Sequence, residues 1–394
     1  MNILLFFPKL CESKDYHYMP ITALAVASEL LAQGHRVEIW DDRVDDINIR
    51  SLGALISHCD QVMVSCFTGY QLSQAYRFIK ETKEKFPDKK IVVGGPHATA
   101  LPEQTLASPY VDEVFCGDID TGKHPLPYHL IYLDKYVNPA TERFIQITQY
   151  GCPGICSFCS TKKKRPLKLI PMERVKTDID YLMKRHSFRE CVFFDSTLFM
   201  IPDRVRQISE IMRQYQLRWI CDARAPEIAN ADESFLESCV NSGLTQITVG
   251  LESGSPGIIR LMHKGSTHLE YYRQAAEKLA RLPVKLVSGV IFGTPGETVL
   301  DLQLTIDYIQ RIRGINPNFH ISTTFFRPLP GTAMTDLAME YGYKEPQSLS
   351  EWAELGMRSH YSYNEYREAC WIPEPDRHRA VYEKFRTQNK DLFV

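Results

Sequence analysis

Tyr150-Gly-Cys152-Pro-Gly-Ile-Cys156-Ser-Phe158-Cys159-Ser160 is the stretch on which the reading of this chain turns. Its three cysteines are spaced CxxxCxxC, with an aromatic residue just before the last. Three thiolates on one tight loop hold three irons of a cubane iron–sulfur cluster, whose irons are ordinarily cysteine-ligated. The fourth iron is then left open for a small molecule, as a catalytic metal site requires and a structural one avoids. A structural zinc site would want a fourth Cys or His close by, and the twenty residues on either side supply none. The other eight cysteines are scattered through apolar or strand-like surroundings, where a free cysteine is a small buried hydrophobe. They support no second cluster.

The rest of the composition fits that chemistry. The 394 residues suffice for two ordinary domains and an extension. A formal charge of -2 offers no basic field for nucleic acid. No apolar run approaches the ~20 residues of a membrane span. The opening run Met1–Phe7 is too short for a signal peptide and reads as a buried strand. Eleven cysteines in such a chain predict a reducing compartment, hence a soluble cytoplasmic protein.

Working outward, residues 1–125 alternate short apolar runs with helical patterns, as parallel strands with crossover helices do. Strands are predicted at Asn2–Phe7, Val37–Trp40, Gln61–Ser65, Ile91–Val93 and Val111–Phe115, with helices at Ile21–Gln33 and Gln71–Lys85. The fold class is α/β, a Rossmann-like (flavodoxin-like) sheet. Ligands of such sheets bind at the carboxyl ends of strands near a topological switch. That gathers Ser65, Thr68, Gly69, Tyr70, Gly94, Gly95, His97 and Gly117 around one cleft. Glycines after a strand let a ligand approach the backbone closely; they also serve any tight strand-to-helix turn.

Residues 126–335 repeat strand–loop–helix about six times, the pattern of a partial (β/α)6 TIM barrel. Strands are predicted at Phe144–Thr148, Glu190–Phe194, Trp219–Asp222, Gln246–Gly250, Lys285–Phe292 and His320–Phe325. The cysteine loop follows the first of these, at the end where barrel enzymes keep their working residues. Residues 336–394 read as a short helical carboxyl-terminal extension rich in aromatics, a packed helical cover or a lid over the barrel mouth. Within it Tyr361 and Trp371 are candidate substrate contacts, as are Lys163 and Arg165 in the basic run after the cluster loop.

The cysteine motif and the strand ends together resemble the radical S-adenosylmethionine (SAM) superfamily. Phe193-Phe-Asp195-Ser-Thr197, Trp219-Ile-Cys-Asp-Ala-Arg224-Ala225, Val249-Gly-Leu-Glu252-Ser253-Gly-Ser255 and Ser288-Gly-Val-Ile-Phe292-Gly293-Thr-Pro-Gly-Glu297 carry the resemblance in order. It implies a 4Fe–4S cluster on Cys152, Cys156 and Cys159. It also implies a SAM pocket built from Phe158, Asp195, Arg224, Glu252, Ser253, Ser288, Phe292 and Gly293. Asp195 would face the SAM amino group or shape its pocket. Arg224 would grip the carboxylate and Glu252 the ribose hydroxyls. Val93-Gly-Gly-Pro-His-Ala-Thr99 and Pro109-Tyr-Val-Asp-Glu-Val-Phe-Cys-Gly-Asp118 resemble the cobalamin-binding domain that precedes many radical SAM enzymes. Domains of that kind that ligate cobalt use Asp-x-His-x-x-Gly; here Asp15-Tyr-His17-Tyr-Met-Pro20 departs at its last position, which leaves His17 a weak candidate ligand.

The resemblance implies a cobalamin-dependent radical SAM enzyme, with cluster, SAM and cobalamin as cofactors and no catalytic side chain beyond them. Methylation of an unactivated carbon of a small metabolite, natural-product intermediate or short peptide is the implied reaction. Its external reductant would be a flavodoxin or ferredoxin. The alternatives on the same scaffold are a cyclisation or rearrangement, or aminocarboxypropyl transfer, with cobalamin as redox partner or absent.

Overall fold

The computed structural model describes residues 1–11, 18–45, 51–117, 122–137, 142–160, 165–265, 267–358 and 369–394. His17, Lys163, Tyr361 and the side chain of Arg165 lie outside the described residues. The chain divides into two compact units.

The first unit is built on five parallel strands: β1 (Asn2–Phe7), β2 (Arg36–Asp41), β3 (Gln61–Ser65), β4 (Lys90–Gly94) and β5 (Glu113–Val114). Their order is β2-β1-β3-β4-β5, with the chain reversing direction across the sheet between β1 and β3. This is the flavodoxin-like order, whose ligands lie at the switch point. Ile3–Phe7 is buried without interruption, as a strand covered on both faces must be. Helices α1 (Ile21–Ala32), α2 (Leu52–His58), α3 (Tyr70–Lys85), α4 (Pro96–Ala100) and α5 (Pro102–Leu106) connect the strands.

Two later segments belong to this unit. Helix α6 (Met172–Met183), which follows the cysteine loop in sequence, groups here. Its Asp178 accepts the Leu126 amide at 2.9 Å, and Tyr181 stacks on Tyr128. Helix α14 (Leu349–Arg358) packs its Leu349 and Trp352 into the core formed by Leu72, Ala75 and Ile79 of α3. Ser73 Oγ donates to the Ala353 carbonyl. At Gly356 the helices are so close that a Cβ would stand only 2.4 Å from the Gly69 carbonyl oxygen.

The second unit carries a six-stranded parallel sheet in strict chain order: β6 (Arg143–Gln146), β9 (Glu190–Phe193), β10 (Arg218–Ala223), β11 (Leu244–Glu252), β12 (Lys285–Phe292) and β13 (Phe319–Phe325). Between β6 and β9 stands a hairpin the sequence reading treated as plain loop, β7 (Gln149–Cys152) paired antiparallel with β8 (Arg165–Leu169). Helices α7 (Pro202–Gln214), α8 (Ala225–Ala229), α9 (Glu233–Asn241), α10 (Pro256–Leu261), α11 (His268–Leu279), α12 (Val299–Ile315) and α13 (Ala333–Glu340) connect the later strands. Helix α15 (Pro375–Gln388) lies along α12, and the segment after it adds a parallel bridge, Ile321 to Phe393, to the edge of β13.

Candidate active site

The three site cysteines ride on the β7–β8 hairpin. Cys152 ends β7, and Cys156 and Cys159 follow on a turn in which the Cys159 amide donates to the Cys156 carbonyl at 3.2 Å. Gly154 lies between them. A Cβ there would meet Cys152 Sγ at 3.2 Å and Cys156 Sγ at 3.8 Å, so the missing side chain keeps the space between the two sulfurs clear. The turn is held from outside by Ser157, whose amide donates to the Met262 carbonyl and whose hydroxyl donates to that of Leu261. Among the described residues no three His, Cys, Asp or Glu side chains form a ready-made ion site. In such sites metal binding and closure are one event. Burial pushes the Cys156 thiol up, against the opposing pull of Lys264. Three thiols on one loop, with space left open between sulfurs, fit a cluster held at three of its irons.

Beside this hairpin, β11 ends in Glu252, whose φ of +66 is left-handed. That conformation is costly for a side chain of this size and is characteristic of functional sites. A break in register after Gly250 turns the Glu252 carboxylate back over the strand. Its Oε1 meets Lys264 Nζ at 2.8 Å. Lys264 Nζ also lies 5.7 Å from the Phe158 ring centre. Burial alone would lower the Lys264 ammonium, but Glu252 and the nearby Cys156 more than offset it and hold its pKa above the ordinary value. Arg224, half-buried at the start of α8, is near enough for its charge to act on Cys156 and Lys264. One carboxylate and two cations therefore surround the cysteine turn. Sequence reading found Glu252 and Arg224 but missed Lys264. Its only local signal is a lysine before Gly265 at a helix end, and only the fold returns it to Glu252.

The remaining residues predicted for SAM have partners within the protein. Asp195 is fully buried and accepts from the Thr148 and Gln149 amides, both at 2.8 Å, and from the Thr148 hydroxyl at 2.9 Å. Its oxygens are turned to the backbone and hydroxyl of that segment. The Ser253 hydroxyl is turned to Thr305 at 2.9 Å, and Ser288 is enclosed between Tyr272 and the Val249 carbonyl. Phe292 is buried against Tyr382. Gly293, at φ +70, has the Phe325 ring where a Cβ would go. Trp371, a candidate substrate contact, is likewise only 4% exposed. Its Nε1 donates to the Gly293 carbonyl at 2.8 Å, and its own carbonyl accepts the Gly296 amide. It anchors the loop after β12.

In the first unit the predicted strand-end residues fall into two kinds. Gly69 and Gly117, both at positive φ, face open space where a Cβ would be. Gly95 is a packing glycine, since a Cβ would stand 2.7 Å from Ser65 Oγ, and Gly94 lies against Phe115. His97 is completely buried, edge-on to Trp352, with Nδ1 bonded to Thr68 Oγ1 at 2.9 Å. Burial pushes its pKa down to about 4. The neutral, enclosed ring holds the Thr68 hydroxyl. The open glycines at the start of α3 and after β5 fit a large ligand approaching the backbone at the carboxyl ends of the strands.

Residues 147–309 match the radical SAM superfamily, and residues 10–123 match the B12 binding domain. A chain with the three-cysteine hairpin at the carboxyl end of a parallel β/α sheet and that domain match is a radical SAM enzyme, using a 4Fe–4S cluster and SAM. The second match adds a B12-binding domain ahead of the radical SAM match in the chain, so cobalamin joins the cluster and SAM among the cofactors. An uncharacterized methyltransferase of Pyrococcus horikoshii is 23% identical over 81% of this chain and 78% of its own length. The bacteriochlorophyllide d C-12(1)-methyltransferase of Chlorobaculum tepidum is 24% identical over 80% of this chain and 72% of its own. In fold, the chain is similar to the radical SAM methyltransferase TsrM of Kitasatospora setae, solved with tryptophan and a SAM analog (TM-score 0.70, 16% identity, 92% of this chain and 84% of that one). Among the described residues no helix is long and apolar enough to cross a membrane.

Proposed function

We propose that this enzyme methylates an unactivated carbon of a small metabolite, natural-product intermediate or short peptide. Residues 1–125 would hold cobalamin and 126–335 the cluster and SAM, in the cytoplasm, with a flavodoxin or ferredoxin as electron donor. The observation that carries the reading is the Glu252–Lys264 pair against the cysteine turn, in a chain whose first domain is a B12-binding sheet. When bound, the cofactors supply an electron that cleaves SAM to a hydrogen-abstracting radical and a methyl group for the substrate carbon.

The side chains bind and orient. Glu252 would accept from the two ribose hydroxyls, the Phe158 ring would cover one wall, and the backbone at Gly293, packed against Phe325, would line the adenine. Lys264 and Arg224 neutralise the SAM carboxylate, for which a guanidinium offers two parallel donors. Lys264 is already desolvated and paired, so its position is set before the ligand arrives. Trp371 and Phe325 hold the loop after β12 and keep water from that side. Tryptophan, the ligand seen in TsrM, is the size of substrate this reading anticipates.

The test is label transfer. Reconstituted enzyme with cobalamin and reductant is given SAM deuterated in its methyl group and a pool of small metabolites, and the products are read by mass spectrometry. Methylation predicts a labelled product with one 5′-deoxyadenosine and one S-adenosylhomocysteine formed beside it. Deoxyadenosine alone, with an unlabelled isomerised product, would overturn methylation in favour of rearrangement. Transfer of the aminocarboxypropyl group would overturn it equally.

A further inference from the structure

Asp195 and Arg204 meet at the neck of the cysteine hairpin, where its two limbs leave the sheet. Asp195, just beyond β9, takes the amides of Thr148 and Gln149 on the incoming limb. Arg204, on the first turns of α7 and only 6% exposed, reaches across both limbs with one guanidinium nitrogen, donating to the carbonyls of Thr148 and Ile170. Its Nε donates to the Thr148 hydroxyl at 3.3 Å, which itself donates to Asp195 Oδ2 at 2.9 Å. The Ile170 amide closes the neck on the Thr148 carbonyl at 2.9 Å. A single threonine hydroxyl thus links a buried anion and a buried cation, which between them hold four backbone groups. Every sulfur of the site lies on the loop so gathered. Neither charge faces open space, so neither serves ligand binding directly.

Two desolvated charges are an expensive way to tie a loop, since a plain backbone ladder would satisfy the same carbonyls and amides. A planar fork has one advantage over it: it fixes the two limbs relative to each other and to β9 at once. We propose that Asp195 and Arg204 are positioning residues that clamp the neck of the hairpin and so hold the three thiolates in register with the barrel mouth, setting how firmly the cluster is retained. This rests on reading Cys152, Cys156 and Cys159 as cluster ligands, but the clamp itself is a property of the metal-free chain.

The experiment therefore has two readouts. The first is hydrogen exchange of the metal-free protein at the Thr148, Gln149 and Ile170 amides. The second is the rate at which a ferrous chelator strips iron from the anaerobically reconstituted protein. Arg204→Met is expected to speed exchange at those amides at least tenfold, with exchange in β11 and β12 unchanged, and to speed iron loss by about 10- to 100-fold. Arg204→Lys, which restores charge and one donor, is expected to recover part of both. Should Arg204→Met fail to fold, Asp195→Asn carries the same measurements, because it keeps the shape and an acceptor oxygen for the two amides while removing the charge. Exchange and iron loss both at wild-type rates in the folded variants would overturn the clamp. Wild-type protein that takes up no iron would instead overturn the cluster reading, and exchange alone would then decide the clamp.

Discussion

Gly250→Ala tests whether the Glu252 carboxylate does the work assigned to it. A Cβ at residue 250 would stand 2.2 Å from Glu252 Oε1 and 3.4 Å from Lys264 Nζ. Ordinary contact begins near 3.4 Å, so the carboxylate must retreat by roughly 1 Å, and a shift of that size at a reacting site can cost about 100-fold. Gly250 is not at positive φ, so alanine suits its backbone and the fold has no reason to suffer. Replacing glycine at a compatible position is, if anything, stabilising by about 0.4–1 kcal/mol. What is lost is the carboxylate's grip on the ribose, a charged hydrogen bond worth about 1.5–3 kcal/mol. The dissociation constant for SAM should accordingly rise about 10- to 150-fold. Equilibrium dialysis of labelled SAM against the reconstituted protein reads this, with the thermal midpoint measured in parallel. Gly314→Ala is the control: that glycine lies in α12 with nothing within 4 Å of the added methyl, so SAM binding should not change. Unaltered SAM affinity in folded Gly250→Ala would refute the role given to Glu252.

Lys264→Met should weaken SAM binding by about tenfold or more while sparing the cluster's iron content, because it removes a charged hydrogen bond and leaves the cysteines in place; dialysis and iron assay on one sample separate the two. His97 gives a pH signature. Its pKa of about 4 lies below the unfolded value of 6.5, so its neutrality stabilises fully above pH 6.5 and is lost as pH falls towards 4. About 3 kcal/mol is at stake in that window. His268, also held near 4, acts in the same sense, so the difference between wild type and His97→Gln in denaturant melts at pH 7 and pH 5 isolates His97. A slope unaltered by the substitution would count against its burial. Gly356→Val should push α14 from α3 and destabilise the first unit by about 1–3 kcal/mol, seen as a change in Trp352 fluorescence on urea titration; an unshifted midpoint would mean the helix does not depend on that contact.

Much of this was legible in the chain because parallel strands buried on both faces are continuous apolar runs. Asn2–Phe7, Gln61–Ser65 and Lys285–Phe292 were located to the residue, and the others within a few. The cysteine spacing carried the cofactor. What escaped were facts that only three-dimensional return of the chain creates. Lys264 lies twelve residues past its partner Glu252 and comes back through a helix and turn. Arg204 looks like any exposed arginine near a helix start, and nothing local says that two carbonyls wait for it. The hairpin partner β8 hid behind a basic run. Asp195 and Ser253 at strand ends, and Ser288 within β12, sit where function is expected, yet the direction of a side chain is set by neighbours that spacing does not reveal. Glycines differ among themselves for a related reason. Gly95 is needed for packing against Ser65, while the open positions are the isolated Gly69 and Gly117.

The central claim is that one chain houses both a SAM-cleaving cluster and cobalamin. The most direct measurement is a metal count on protein reconstituted anaerobically with iron, sulfide and hydroxocobalamin, then freed of unbound cofactor. The account predicts about four irons and one cobalt per chain, with iron retention abolished by replacing Cys152, Cys156 and Cys159 together. Iron that persists without those cysteines, or cobalt that washes away completely, would contradict it.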